Sequence, residues 1–102
     1  MTKKDESHVL TEKKVDIKEP DMYRVVLIND DYTTMEFVTY VLKSVFYLTV
    51  EQAERTMLKV HREGRGVCGV YPYEIAEMKV NIVAEMAKQH EYPLLCVMEE
   101  DR

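Results

Sequence analysis

Apolar and polar positions alternate along this chain with two different periods. Residues 22–28 (MYRVVLI) are rich in β-branched and aromatic side chains and run into the turn-forming sequence Asn-Asp-Asp, so they predict a strand that ends in a turn. Residues 66–71 predict a second strand that Pro72 breaks, and residues 94–98 predict a third strand after a loop that contains Pro93. These three segments are the candidate strands of one sheet.

Between the predicted strands, apolar residues recur three and four positions apart, which is the spacing of one helix face. The first such segment starts at Thr33 and Glu36, which fit a capping box, and it predicts a helix of about three turns. The second starts at Thr49 and Gln52, which also fit a capping box, and ends near Gly64. The sequence therefore predicts two consecutive helices between the first and second strands.

The third helical segment, residues 74–90, has an unusually wide apolar face, which predicts that neighbours pack against it on more than one side. The order of elements is then β-α-α-β-α-β. Because three strands make a narrow sheet, we expect an α+β fold in which a three-stranded antiparallel sheet is covered on one face by three helices. Residues 1–21 are highly charged and lack a sustained period, so they predict a mobile, disordered N-terminal tail before a folded domain of residues 22–102.

Composition narrows the possible functions. The 102 residues leave room for one domain, and 14 basic against 19 acidic side chains give a net charge of −5, which argues against a nucleic-acid-binding surface. No apolar run is long enough for a membrane span or an export signal, so we expect a cytoplasmic protein with no membrane partner. We also expect a monomer. Cys68 and Cys96 are too few for a disulfide framework and lack zinc-site spacing, which favours reduced core residues and no metal.

The turn at Asn29, Asp30 and Asp31 places one amide and two carboxylates between the first strand and the first helix. Asn and Asp are ordinary turn residues and acids suit a helix N-terminus, but three together also form a receptor for a cation with several N–H donors. His61 lies at the edge of the apolar stripe of the second helix, where it is either a boundary residue or part of a binding site. Spacing alone leaves both interpretations open.

Four segments carry a resemblance to a known family. They are residues 22–38 (MYRVVLINDDYTTMEFV), 57–61 (MLKVH), 67–70 (VCGV) and 93–96 (PLLC). In sequence and order they resemble ClpS, the family of adaptors that deliver N-end-rule substrates to the bacterial ClpAP protease. The resemblance implies a non-enzymatic, cofactor-free protein whose partners are substrate N-termini and the N-terminal domain of the ClpA unfoldase.

The resemblance also implies which residues form the site. Asn29, Asp30 and His61 would hold the free α-amino group of a substrate's first residue, and Asp31 would support the turn. The first side chain, which is Leu, Phe, Tyr or Trp, would enter a hydrophobic pocket. The matching pocket positions are Thr33, Met35, Met57, Val60 and Leu94. Met35 matches a gate residue that excludes the β-branched first residues Val and Ile.

Docking on ClpA would use the positions that match Glu74 and Lys79, whose spacing of five residues leaves both side chains free for a partner. One position departs from the family pattern, because Thr34 stands where many relatives have Pro at the first turn of a helix. Thr lowers the rigidity beside the gate, so a specialised paralogue with a narrower preference for N-terminal residues is an alternative.

Two further classes of function are weaker. A metal-dependent hydrolase could use Asp30, Asp31 and His61, but the sequence offers no second histidine at a ligand spacing and no activated nucleophile. A nucleic-acid module built on Arg62 and Arg65 would have too few cations on an acidic domain.

Overall fold

A computed structural model describes residues 20–102, and it contains three strands and three helices. In chain order they are β1 (Met22–Ile28), α1 (Met35–Ser44), α2 (Val50–Glu63), β2 (Arg65–Pro72), α3 (Tyr73–Gln89) and β3 (Leu95–Glu100). The predicted order β-α-α-β-α-β is confirmed. The predicted tail, residues 1–21, lies outside the described residues except for its last two. No helix in residues 20–102 combines the length and apolar character of a membrane span.

The sheet has the strand order β2-β1-β3, and both pairs are antiparallel, as predicted. The central strand is the most apolar of the three, and Val25, Val26 and Leu27 in it are completely buried. The pairing of β1 with β2 shifts register between Val25 and Val26, which indicates a bulge. Because β1 is hydrogen-bonded on both sides, its C-terminal end is a fixed point from which the following turn starts.

All three helices contribute to one core, which lies on one face of the sheet. Val25 and Leu27 point into this core, where they meet Val41 and Leu42 of α1 and Val60 of α2. Further buried members of the core are Phe37, Val38, Val45, Phe46, Ala53, Cys68, Ala76, Val83, Ala87, Leu94 and Cys96. The α+β architecture with helices over one face is therefore confirmed.

Cys68 and Cys96 are both buried free thiols, as predicted. Burial raises the pKa of Cys96 to about 12, and burial together with the nearby Cys96 raises the pKa of Cys68 still further. Both thiols are therefore neutral and lack the thiolate character that cysteine chemistry requires. They act as small apolar core residues.

Val26 is buried on the opposite face of the sheet, which the helices leave uncovered. It is absent from the helix-covered core, and the alternation of side chains along β1 points it away from Val25 and Leu27. On that face Arg65 of β2 donates a 2.5 Å hydrogen bond to Glu99 of β3, and Arg24 of β1 lies 3.3 Å from the same carboxylate. These side chains bridge all three strands, and the register places Val67 of β2 and Val97 of β3 directly opposite Val26.

Capping residues define the ends of α1 and α2. The predicted capping box at the start of α2 is confirmed, because Thr49 and Gln52 exchange side-chain-to-backbone hydrogen bonds. The predicted box of Thr33 and Glu36 is wrong, since the N-cap of α1 is Thr34, whose hydroxyl accepts from the Phe37 backbone N–H at 3.1 Å. The Thr33 side chain bonds to the preceding turn instead.

Helix α3 packs against neighbours on one side only, so the expectation of contacts on several sides is wrong. The small residues Ala76 and Ala87 are buried with Val83, and they let the helix lie close to the sheet. Ile75, Met78 and Ile82 are at least 40% exposed, although they lie at helical spacing along the other side. The wide apolar face is therefore divided into a core stripe and an exposed stripe.

Lys79 of α3 is buried, with 8% of its surface exposed, so the expectation that its side chain is free for a partner is wrong. Its ammonium group donates a 2.7 Å hydrogen bond to the carbonyl oxygen of Val45, the C-cap residue of α1. The rings of Phe46, Tyr47 and Tyr71 surround it, with centroids 5.7, 5.2 and 5.1 Å away. The dipole of the α1 C-terminus and the faces of the aromatic rings both stabilise a cation, which explains why the Lys79 side chain is buried.

The substitution Lys79→Met is expected to lower the free energy of unfolding by about 1–3 kcal/mol, because it leaves the buried Val45 carbonyl without its donor. Chemical denaturation measures this change. Lys59→Met, on the exposed side of α2, removes the same charge without a buried partner and is the matched control. Equal stabilities of the two variants would contradict the structural role of Lys79.

Candidate functional site

The turn after β1 is organised around the Asp30 carboxylate. One oxygen, Oδ1, accepts from the backbone N–H groups of Tyr32 at 2.8 Å and Thr33 at 2.7 Å. The other, Oδ2, accepts from the Thr33 hydroxyl at 2.7 Å. This is the turn chemistry that Asp supports well, and it holds the charged group in one orientation ahead of the N-terminus of α1.

The Asp30 carboxylate stays charged and keeps capacity for a further donor. Partial burial raises the pKa of this carboxyl, but the hydrogen bonds from Thr33 and Tyr32 outweigh the burial, so that its pKa lies below the ordinary value. A carboxylate offers about four acceptor positions, and the three internal hydrogen bonds leave one on Oδ2. Asp30 is therefore a preorganised acceptor for a cationic N–H donor.

A backbone hydrogen bond fixes Asn29 next to the end of α2, where His61 lies. The Asn29 N–H donates to the Gly64 carbonyl at 2.9 Å, and Gly64 is the C-cap of α2 with φ at +92°. This left-handed conformation is natural for glycine and costs other residues about 1–2 kcal/mol. His61 occupies the last turn of the same helix and is exposed. The contact brings residues 29–30 and 61, far apart in sequence, to one place.

One cavity of about 460 Å³ is lined by all three predicted amino-binding residues, Asn29, Asp30 and His61. They are therefore close enough to contact the same ligand. Four of the five predicted pocket residues also line this cavity. They are Thr33, Met35, Met57 and Val60, so the cavity has a polar rim and an apolar interior.

Leu94 is not among the side chains that line this cavity, and its role in the pocket stays a prediction. It is 6% exposed and belongs to the core, because it precedes β3 at a point where the chain packs against the helices. Val38 lines the cavity and was missed. It lies three residues after Met35 on α1, so the helical spacing could have identified it.

The glycine at position 66 sets how closely α2 approaches β2 beneath the cavity. A Cβ atom there would lie 2.8 Å from Cγ2 of Val60, the cavity residue, and 3.3 Å from the Thr56 carbonyl oxygen. Glycine is therefore required if Val60 is to keep its position.

Thr34 is the N-cap residue of α1. Its backbone has φ −73° and ψ 153°, and its hydroxyl makes the bond to Phe37 described above. Tyr92 lies beside this N-terminus, with its ring 4.8 Å from that of Phe37. A proline at this position has no hydroxyl and could not make this capping bond.

Asp31 lines the cavity and is exposed, but the turn's hydrogen bonds go to Asp30. Within residues 20–102 no hydrogen bond to the Asp31 carboxylate is found, so the predicted supporting role belongs to Asp30. In the same residues, Asp30, Asp31 and His61 do not form a group close enough to hold a metal ion.

Comparison with known proteins identifies relatives over nearly the whole chain. Residues 18–97 match the family model for the ATP-dependent Clp protease adaptor protein ClpS. The chain is 55% identical over 95 residues to a ClpS adaptor of Phenylobacterium zucineum, covering 93% of this chain and 87% of the relative. It is 53% identical to one of Nitrosospira multiformis, covering 91% of each.

A solved structure shows the same fold with a ligand. Agrobacterium tumefaciens ClpS2, bound to L-phenylalaninamide, aligns with a TM-score of 0.78 and 40% sequence identity, covering 81% of this chain and all of that one. The ligand of that protein carries a free α-amino group and an aromatic side chain.

Asp30→Asn is expected to destabilise the fold at neutral pH, and the effect should disappear in acid. Because the folded-state pKa of Asp30 is lowered, its charge stabilises the fold above the unfolded-state value of about 3.9 and loses this contribution as pH falls through the folded-state pKa. Denaturant unfolding of both proteins at pH 7, 5, 4 and 3 measures the difference. A difference that stays constant down to pH 3 would contradict this role.

Proposed function

This chain belongs to the ClpS family of ATP-dependent Clp protease adaptors, and from that premise we propose that it binds proteins through a free N-terminal amino group and a bulky first side chain. The first residues accepted are Leu, Phe, Tyr and Trp. The adaptor delivers such substrates to the ClpA unfoldase for degradation by ClpP. As a member of this family it is a non-catalytic adaptor, not an enzyme.

The observation that carries this proposal is the Asp30 carboxylate, which lines the cavity and is held by three internal hydrogen bonds that leave one acceptor position on Oδ2. An α-amino group has a pKa of roughly 7.7–8.0, so at neutral pH it is largely an ammonium with three donors. Asn29, Asp30 and His61 line the same rim and provide acceptors for these donors. The hydrogen bonds from an ammonium to such a carboxylate are charge-assisted and strong.

The apolar interior accounts for the preference for a bulky side chain. Val38, Val60 and Met57 line the cavity, and Met35 closes its side while remaining 42% exposed. An unbranched, exposed methionine can change rotamer to fit Leu or an aromatic ring. A β-branched first residue places a second carbon against this wall at Cβ, so Val and Ile should bind poorly.

The first residue alone gives weak binding. Two charge-assisted hydrogen bonds contribute roughly 1.5–3 kcal/mol each and one buried side chain about 1.5–3 kcal/mol, while association costs at least about 4 kcal/mol. The sum is at most about 5 kcal/mol, whereas micromolar binding requires about 8.2 kcal/mol. Contacts with the substrate chain beyond its first residue are therefore needed.

Docking on the N-terminal domain of ClpA is assigned to the exposed side of α3. Glu74 lies in its first turn and is exposed, and the apolar stripe of Ile75, Met78 and Ile82 begins beside it. An exposed apolar stripe next to a charge is typical of an interaction surface. Lys79 contributes indirectly in this proposal, since its buried ammonium fixes the end of α1 against α3.

Peptides that begin with Phe or Leu should bind, whereas their N-acetylated forms should not, because acetylation removes the charge and two donors. Fluorescence anisotropy measures both, and the affinity of the free peptides should fall above about pH 8 as the amine loses its proton. Asp30→Asn should lose most of the affinity, and Glu85→Gln, on exposed α3, is the control. Equal binding of free and acetylated peptides would contradict the proposal.

Charge reversal by Glu74→Lys should weaken binding to the isolated N-terminal domain of ClpA by at least about tenfold, which corresponds to about 1.4 kcal/mol. Glu91→Lys is the matched control because Glu91 is exposed and follows the C-cap of α3, whose last residue lies about 22 Å from Glu74 along the helix axis. Calorimetric titration measures both affinities. Peptide binding should be unchanged in both variants, and equal domain affinities would contradict the assigned docking side.

A further inference from the structure

We propose that a second cavity, next to the first, binds the side chain of the substrate's third residue and prefers lysine or arginine there. The inference rests on the proposed function, since it requires the first residue to occupy the first cavity.

The second cavity has a volume of about 470 Å³ and lies between α1 and α2. It shares Met35, Glu36 and Met57 with the first cavity, so the two cavities are adjacent. Its remaining lining residues are Thr39, Tyr40, Lys43, Glu54 and Leu58. A chain that leaves the first cavity across Met35 reaches the second directly.

The geometry of an extended peptide selects the third residue. Side chains of an extended chain alternate between opposite faces, so the first and third point the same way while the second points to solvent. Each residue advances about 3.3–3.6 Å, which places the third side chain about 7 Å beyond the first. Because both cavities have Met35 and Met57 in their lining, we expect this step to carry the third side chain past these two residues to the second cavity.

The lining of the second cavity fits a long cationic side chain. Met35, Met57, Leu58 and Tyr40 provide apolar surface for the aliphatic stem of Lys or Arg, and the carboxylates of Glu36 and Glu54 are available for its head. Lys43 is the one cation among the lining residues, and within residues 20–102 it forms no ion pair with either carboxylate. The lining is therefore net acidic and should repel a substrate Glu or Asp.

A positional peptide scan tests the inference. Peptides that begin with Phe and carry Lys, Arg, Ala or Glu at the third position are compared with a set that carries the same residues at the second. We expect Lys to bind about two- to tenfold more tightly than Glu at the third position, since exposed ion pairs contribute about 0.2–1 kcal/mol each and tenfold is 1.4 kcal/mol. The second position should discriminate less, and added salt should reduce the third-position ratio.

Variants of the second cavity separate this site from general electrostatics. Glu54→Gln should lower the Lys-to-Glu ratio at the third position while leaving the affinity of the Ala peptide unchanged. Lys43→Gln should raise the affinity of the Lys peptide. Glu51→Gln is the matched control, because Glu51 lies one turn earlier on α2 and does not line the cavity.

The outcomes distinguish this inference from the proposed function. Equal Lys-to-Glu affinity ratios at the second and third peptide positions would overturn the third-residue site. Equal third-position ratios in the Glu54→Gln and Glu51→Gln variants would also overturn it. The proposed function would survive in that case if the Ala peptide still lost binding on N-acetylation. If acetylation had no effect on the Ala peptide, the proposed function itself would fail.

Discussion

The constraint on which the site depends is the fixed orientation of the Asp30 carboxylate at the end of the central strand. Strand β1 is hydrogen-bonded on both sides, so its last residue cannot move independently of the sheet. The turn then folds back on Asp30 through the N–H groups of Tyr32 and Thr33 and the Thr33 hydroxyl. A charge fixed before the ligand arrives requires no reorganisation on binding, which favours affinity. The same turn leads into α1, which carries Met35 to the cavity wall.

Helix α2 contributes residues to both the polar rim and the apolar interior of the cavity, and two glycines hold this helix in position. Gly64 ends the helix in a left-handed conformation and presents its carbonyl to Asn29, which places His61 at the rim. Gly66 lets the helix lie against β2 with Val60 in the cavity. A shift of α2 would therefore move His61 and Val60 together, so in the proposed function the amino-binding and side-chain-binding parts act as one unit.

The sequence was sufficient to predict the order of elements, because strand composition, helical spacing and the Thr49 capping box each act locally. The spacing of residues along the chain could not predict that Asp30 and His61 lie close together, because their proximity depends on a tertiary hydrogen bond from Asn29 to Gly64. Only the family resemblance predicted it. Lys79 was misjudged because lysine is rarely buried, and only the three-dimensional arrangement supplies a carbonyl and three rings for it. Leu94 matches a pocket position of the family but packs in the core, and a sequence match does not specify which face of a chain segment points to a cavity.

The central claim is that Asp30 recognises the charge of a free N-terminal amine. A double-mutant cycle tests this claim. Calorimetric titration measures the affinities of L-phenylalaninamide and of 3-phenylpropanamide, which lacks only the amine, for the native protein and for the Asp30→Asn variant. The account predicts that the native protein prefers the amine and that the variant loses most of this preference, with a coupling of at least about 1.4 kcal/mol, or tenfold. The same ratio of the two affinities in both proteins would contradict it.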